Sequence, residues 1–386
     1  MSELNRLTLP PAAPDRPCVS AWTTDAARAA AHQPAATIPP IRAVEPIPGL
    51  PALDLWDMWP LAEAGGGTIR IGGRSWWFFL ASERFADPEA RHDHARIRLL
   101  SHGEEGWRDH GWTFAEGFTP GSREWSGSAV RMADGTVRHF FTAAGRRGEP
   151  PSFEQRLFES RAAIDTSGDA PRFDAWEAPT ELVAADGRHY AFARDRVASA
   201  RGIKGFRDPG YFRDPADGRE HLLFTANAAG ASQWPDGVIG LATFQGEGWH
   251  LRPPILSAIG VNSELERPHV VVHDGRYYLF WSTHRHRFAP GIDAPSGLYA
   301  MVADRFDGAW LPVNGSGLVA ANPPAAPLQA YCWWVTQELR VASFVNYWRG
   351  GPTAEPDNPA ARRAAFGGVP APFFELRIEG DRIAIA

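Results

Sequence analysis

Lysine is almost absent from this chain. Of its 39 basic residues only Lys204 is lysine, a skew that reads as genome composition rather than function. Cysteine is scarce as well. Cys18 and Cys332 allow one bridge at most, which excludes a disulfide scaffold and a zinc site built on paired cysteines. No run approaches about 18 consecutive apolar residues, so no membrane-spanning helix is expected. The opening MSELNRLTLPPAAPDRP lacks the basic start and apolar stretch of a secretory signal, which argues against a Sec-exported precursor. A basic surplus is missing too: 39 basic against 45 acidic residues gives a net charge of −6. That balance disfavours a nucleic-acid partner and a polybasic membrane surface. Finally there is no GxSxG elbow, no P-loop and no Rossmann GxGxxG, which lowers the case for an esterase, an NTPase or a dehydrogenase.

What remains is a chain of 386 residues, 44% hydrophobic and 22% charged, long enough to bury a sizeable core. It carries 16 Trp and 22 Phe. Such a surplus suits either a large β core or a sugar-binding cleft, where aromatic faces stack on sugar rings. Residues 1–45 are rich in Pro and Ala and read as an N-terminal extension. Within it Thr23 or Thr24 can cap a short helix running to about Ala31. The prolines between Pro34 and Pro51 favour an extended wrap along a domain surface. From residue 46 to 386 short aromatic and β-branched runs alternate with Gly, Asp and Pro turns, the pattern of an all-β domain. One unit recurs, a polar turn followed by a hydrophobic strand ending in a small or hydroxyl residue. It occurs at 72–82, 134–145, 217–230, 274–283 and 338–348. Five copies at this spacing predict radial repetition, a five-bladed β-propeller whose innermost strands line a central funnel. A two-sheet sandwich is the weaker alternative.

Three acidic motifs stand beside aromatic or basic residues. LWDMWPL (55–61) sets Asp57 between tryptophans, where a carboxylate is rarely left without a partner or a task; a strand-end turn cap before Pro60 is the weaker alternative. FRDPGYF (206–212) follows Asp208 with a proline that extends it, beside Arg207. NSELERPHVVVHDGRYYLF (262–280) places Glu264 and Glu266 two apart, hence on one face of a strand, with Arg267 on the other unless a bulge redirects it. Two like charges on one face raise one pKa, as a general acid at neutral pH requires; a solvated edge strand explains the same residues. His92 with His94, and His284 with His286, read as exposed loop histidines, because no HExxH or CxxC supplies further metal ligands.

Taken in order, LWDMWPL, REWSGSAV (123–130), FRDPGYF, ELERPHVV and STHRHRFAPG (282–291) resemble glycoside hydrolase family 68 and its Gram-negative branch. This is the family of levansucrases, inulosucrases and related β-fructofuranosidases. The resemblance runs from about residue 20 to the C-terminus. It implies a five-bladed propeller with a deep acidic central pocket, acting on sucrose or another fructoside. It assigns Asp57 as nucleophile, Glu266 as acid/base and Asp208 as transition-state stabiliser. Trp56, Trp125 and Ser126 match the fructosyl subsite. Arg207, Glu264, Arg267 and His284 match the glucosyl or acceptor side, and Tyr331 matches a pocket tyrosine. The implied chemistry is double displacement, with fructosyl passed to water or to sugar acceptors.

Three departures from the family pattern bear on this. Thr225 stands where a glutamate is usual, which puts the acceptor side in question. YCWW (331–334) replaces YSH or YSW, which suggests a bulkier, more apolar rim. Met58 replaces Thr or Ser beside Asp57. No cofactor and no metal are expected, since no acidic loop suits calcium. Cys18 and Cys332 can pair only if the N-terminal extension returns to the fourth or fifth blade. The resemblance points to action outside the cell by a non-classical route, with a cytoplasmic or periplasmic role as the alternative. A mainly hydrolytic enzyme and a non-catalytic sugar-binding propeller are the competing functions.

Overall fold

Each of the five recurring turn-and-strand units is the second strand of a four-stranded antiparallel blade. The computed structural model describes residues 20–386 except 33, 45, 194–202, 349–355 and 357. From the inside outward, the first blade is Leu53–Glu63, Arg74–Glu83, Arg96–Gly103 and Gly106–Trp112. The second has Arg123–Arg131, Thr136–Ala144 and Gln155–Asp165, with two short pieces completing its outer edge. The third is Phe206–Arg213, Glu220–Asn227, Gly237–Phe244 and Trp249–Ser257. The fourth is Glu266–His273, Arg276–Thr283 and Gly297–Ala303, flanked by Leu311–Pro312 and Leu318–Ala321. The fifth begins with Ala330–Val335 and Arg340–Tyr347 and ends with Phe374–Glu379 and Arg382–Ile385.

The propeller explains why the second strands, and not the first, form the legible repeat. A second strand is covered by neighbouring blades on both faces, so it reads as a continuous apolar run rather than an alternation. Trp76, Trp77, Phe78 and Phe79 are all buried, as are Tyr278, Leu279, Phe280 and Trp281. The innermost strands must face the funnel, so their sequences are mixed and diverge from blade to blade.

The N-terminal extension behaves as a staple. Ser20–Ala21 adds a parallel strand to the outer edge of the third blade, with Ser20 paired to Leu256. Thr23 caps the helix Thr24–Ala29 by accepting from the Ala26 N–H, and the chain then tightens into a 3₁₀ turn at Ala30–His32. Trp22 is 1% exposed, donates from Nε1 to the Ser316 carbonyl at 3.0 Å, and meets Trp281 edge-on at 5.2 Å. Beyond the helix, Thr37 bridges to Ala321 and Gln329 accepts from the Ile41 N–H at 2.8 Å. The extension thus ties the third, fourth and fifth blades. Cys18, whose pairing with Cys332 was conditional on the extension returning to the fourth or fifth blade, lies outside the described residues.

Candidate active site

All five innermost strands break register at the same height. The shift falls after Trp56, Trp125, Arg207, Glu266 and Tyr331 in the five blades. A bulge of this kind leaves an extra residue unpaired and re-aims its neighbours. Here the residue before each bulge faces the funnel, giving the ring Trp56, Trp125, Arg207, Glu266 and Tyr331. The bulge residues are Asp57, Ser126, Asp208, Arg267 and Cys332. Four of them hold φ in the left-handed region: 37° at Asp57, 61° at Asp208, 55° at Arg267 and 54° at Cys332. Such values are strained for residues with a Cβ and cluster at functional sites. In the second blade the close approach falls to glycine instead: a Cβ at Gly127 would sit 1.9 Å from the Phe140 carbonyl oxygen.

The ring closes a pocket of about 430 Å³ that Asp57, Asp208, Glu264 and Glu266 all line. Glu264 and Glu266 both face it, but not through strand alternation: the strand begins at Glu266 and Glu264 lies in the loop before it. Arg207 joins the two, its Nη2 donating to Glu264 and, at 2.8 Å, to Glu266 Oε1. Arg287 meets the other oxygen of Glu264 at 2.6 Å. The Tyr331 hydroxyl donates to Glu266 Oε2.

These contacts drive the two glutamates apart. Burial opposes ionisation of Glu264, but Arg287 and Arg207 outweigh it and hold its carboxyl well below the usual range. Glu266 is pushed up to about 7, by burial first and then by the charge on Glu264, with Arg207 opposing. The separation leaves Glu266 able to hold a proton near neutral pH beside an ionised Glu264. Burial also raises Asp57, opposed by Arg267, the Cys332 thiol and Arg91, which favour its anion. Asp208 accepts from the Ser126 hydroxyl at 2.6 Å and the Thr225 hydroxyl at 2.8 Å, and its N–H donates to Thr142 Oγ1 at 2.9 Å.

Several residues sit where the sequence reading did not put them. Arg267 does not line the glucosyl or acceptor side. It is 2% exposed behind the pocket floor, between the rings of Trp59 and Trp334, with Nη2 donating to the Met58 carbonyl at 2.6 Å. The bulge turns its side chain inward, where its charge acts on Asp57 from beneath. The YCWW segment does not form a bulky rim either. Cys332 carries a free thiol at the pocket floor that donates to Asp57, and Trp333 is wholly buried between blades. Thr225 keeps the second motif ordered, with Gln155 accepting from the Phe206 N–H at 3.0 Å beside it. His92, His284 and His286 line the pocket and are not free loop histidines. His284 stacks on Tyr331 with centroids 3.4 Å apart, and His286 stacks on His284 at 5.1 Å. Among the described residues no three His, Cys, Asp or Glu side chains are grouped to hold a metal.

Sequence reasoning missed the 3₁₀ turn Pro88–Asp93, which brings Glu89, Arg91 and Asp93 to the pocket. Arg91 lies over the Trp56 ring at 5.6 Å, and the His92 carbonyl accepts from Trp125 Nε1 at 3.0 Å. It also missed Phe344 and Asn346 on the second strand of the fifth blade. None of these carries a local signal, because each reaches the pocket only through closure of the ring.

A five-bladed propeller with paired, electrostatically separated carboxyl groups in an aromatic-lined funnel defines an enzyme that acts on glycosides. The levansucrase/invertase family model matches residues 15–236 and 230–386, so the chain belongs to glycoside hydrolase family 68. It is 33% identical over 397 residues to a levansucrase of Zymomonas mobilis, covering 94% of this chain and 89% of that protein. A levansucrase of Rahnella aquatilis is 29% identical, covering 94% and 92%. Among solved structures, the inulosucrase of Halalkalicoccus jeotgali bound to kestose superposes with a TM-score of 0.86 at 38% identity, covering 95% of each chain. The β-fructofuranosidase of Microbacterium saccharophilum K-1 gives 0.82 at 26%, covering 97% of this chain and 84% of that one.

Proposed function

We propose that this enzyme cleaves sucrose by double displacement and passes the fructosyl group to sugar acceptors, with water as the competing acceptor. Asp57 attacks the fructosyl anomeric carbon while Glu266, protonated near neutral pH, gives its proton to the departing glucosyl oxygen. The resulting fructosyl ester on Asp57 is then resolved by an acceptor hydroxyl. Glu266, now ionised, takes the proton of that hydroxyl, so the two displacements give net retention. Asp208, held between the Ser126 and Thr225 hydroxyls, accepts from fructosyl hydroxyls as charge develops on the ring. Trp56 and Trp125 offer apolar faces to the sugar. Tyr331 and His284 form a stacked wall on the side where the leaving group departs and the acceptor enters.

The observation that carries this reading is the separation of Glu266 from Glu264. Burial and a like charge keep one carboxyl protonated near pH 7 while two arginines keep its neighbour ionised. A lectin gains nothing from buried carboxylates that repel one another. Similarity to levansucrases and an inulosucrase supports transfer over a purely hydrolytic enzyme, despite Thr225. The test is incubation with sucrose while free glucose and free fructose are assayed separately. Glucose counts every cleavage and fructose only those finished by water, so glucose is expected to exceed fructose. Equal release would replace transfer with hydrolysis, and release of neither sugar would refute sucrose as the substrate.

A further inference from the structure

The hydroxyl that ends the hydrophobic second strand recurs for a reason. In register, Thr142, Thr225 and Ser282 lie opposite Trp125, Arg207 and Glu266, the residues that precede three of the bulges. Each of these hydroxyl oxygens accepts a backbone N–H from the bulge of the following blade. Asp208 N donates to Thr142 at 2.9 Å, Arg267 N to Thr225 at 3.2 Å, and Trp333 N to Ser282 at 3.0 Å. Three hydroxyls therefore fasten four blades together at the pocket floor. The same register position holds Leu80 in the first blade and Phe344 in the fifth.

A hydroxyl that accepts still has one proton to place. Thr142 places its proton on the Ser126 carbonyl at 3.1 Å. Thr225 has two acceptors in reach, Asp208 Oδ2 at 2.8 Å and the Leu265 carbonyl at 3.1 Å. The shorter distance and the negative charge select the carboxylate. The other donors near Oδ2 stand farther off, Arg267 N at 3.4 Å and Arg207 Nε at 3.6 Å. Oδ1 is taken by Ser126 at 2.6 Å. The terminal torsion of an aspartate is soft and roughly two-fold, so its carboxylate needs fixing from both sides.

We infer that Thr225, which is 1% exposed and does not line the pocket, is the positioning residue of Asp208: together with Ser126 it locks the carboxylate plane across the boundary of two blades. An ionised glutamate, the residue usual at this place in the family, has no proton to give, so this chain holds its second carboxylate by a different hydrogen-bond wiring. The inference rests on the reading of Asp208 as the group that meets the fructosyl ring.

The experiment compares two pairs that differ only by a hydroxyl: wild type with Thr225→Val, and Thr225→Ser with Thr225→Ala. Initial rates of glucose release from sucrose are measured over a range of sucrose concentrations, with thermal melting alongside. Within each pair, kcat is expected to fall about 10- to 100-fold without the hydroxyl, the size of one hydrogen bond to a charged group. KM should stay within threefold, and Thr225→Ser should keep kcat within threefold of wild type. Should Thr225→Val not fold, the Ser and Ala pair decides. Equal kcat in Thr225→Ser and Thr225→Ala overturns the inference, as does a Thr225→Ser variant no better than a folded Thr225→Val. A wild-type enzyme that releases no glucose refutes the functional reading itself, an outcome distinct from both.

Discussion

The two ends of the central channel are built from the same five strands and differ in almost everything else. Where the strands begin, the pocket of about 430 Å³ carries six carboxyl groups, three arginines and two tryptophans. Where they continue, a cavity of about 470 Å³ is lined by Pro60, Ala62, Ala129, Val130 and Val270–Val272. Its few charges are spoken for: Glu63 pairs with Arg131, and Asp214 accepts from the Tyr277 hydroxyl at 2.7 Å. Size does not separate the two ends. The register breaks do, because a regular strand sends alternate side chains into the blade interface, whereas a bulge turns two consecutive residues toward the axis or its floor.

The sharpest way to break this comparison is to remove a proposed reacting group at the bulged end. Asp57→Asn and Glu266→Gln should each lower kcat by about 10⁴-fold while melting temperature and circular dichroism stay close to wild type, the scale seen when one member of a catalytic set is lost. Turnover at the wild-type level in either variant would sink the assignment. The next effect is electrostatic. Glu264→Gln removes a like charge from beside Glu266 and leaves Arg207 and Arg287 nearer to it alone, and both changes favour the ionised form of Glu266. Its pKa must then fall below about 7, so the alkaline limb of kcat/KM moves to lower pH, by about one unit for a neighbouring charge. A limb that stays in place would mean another group sets it.

Smaller still is the effect at the stacked wall. His284→Ala, which frees one face of Tyr331, should lower the ratio of transfer to hydrolysis about threefold while sucrose consumption changes less. Equal losses in both would remove His284 from the acceptor side. At the far end of the channel, Gln337→Ala and Glu63→Gln should leave kcat and KM within about twofold, as surface changes away from a site do. A larger change there would show that the two ends communicate.

How legible this was depends on the residue. The five second strands were readable because burial on both faces writes one continuous apolar run next to a Gly-containing turn. Asp57, Asp208 and Glu266 were readable because family motifs surround them. Arg267 was misplaced by the resemblance, which set it on the glucosyl or acceptor side; its bulge, with φ of 55°, holds it off the pocket instead. The YCWW segment was misjudged for the same reason: a bulge at Cys332 sends the thiol to the floor and Trp333 into the core. Thr225 was read as a loss, yet only the register between strands shows that its hydroxyl faces Asp208.

The sequence alone therefore determined the architecture and the chemistry-bearing residue types, because turn residues and apolar runs act over a few neighbours. Which side chains meet was decided by tertiary structure. Residues 57, 126, 208, 266 and 332 come from five blades, and nothing local relates them. They converge because ring closure brings five inner strands to one axis, and because each strand is broken at the same height.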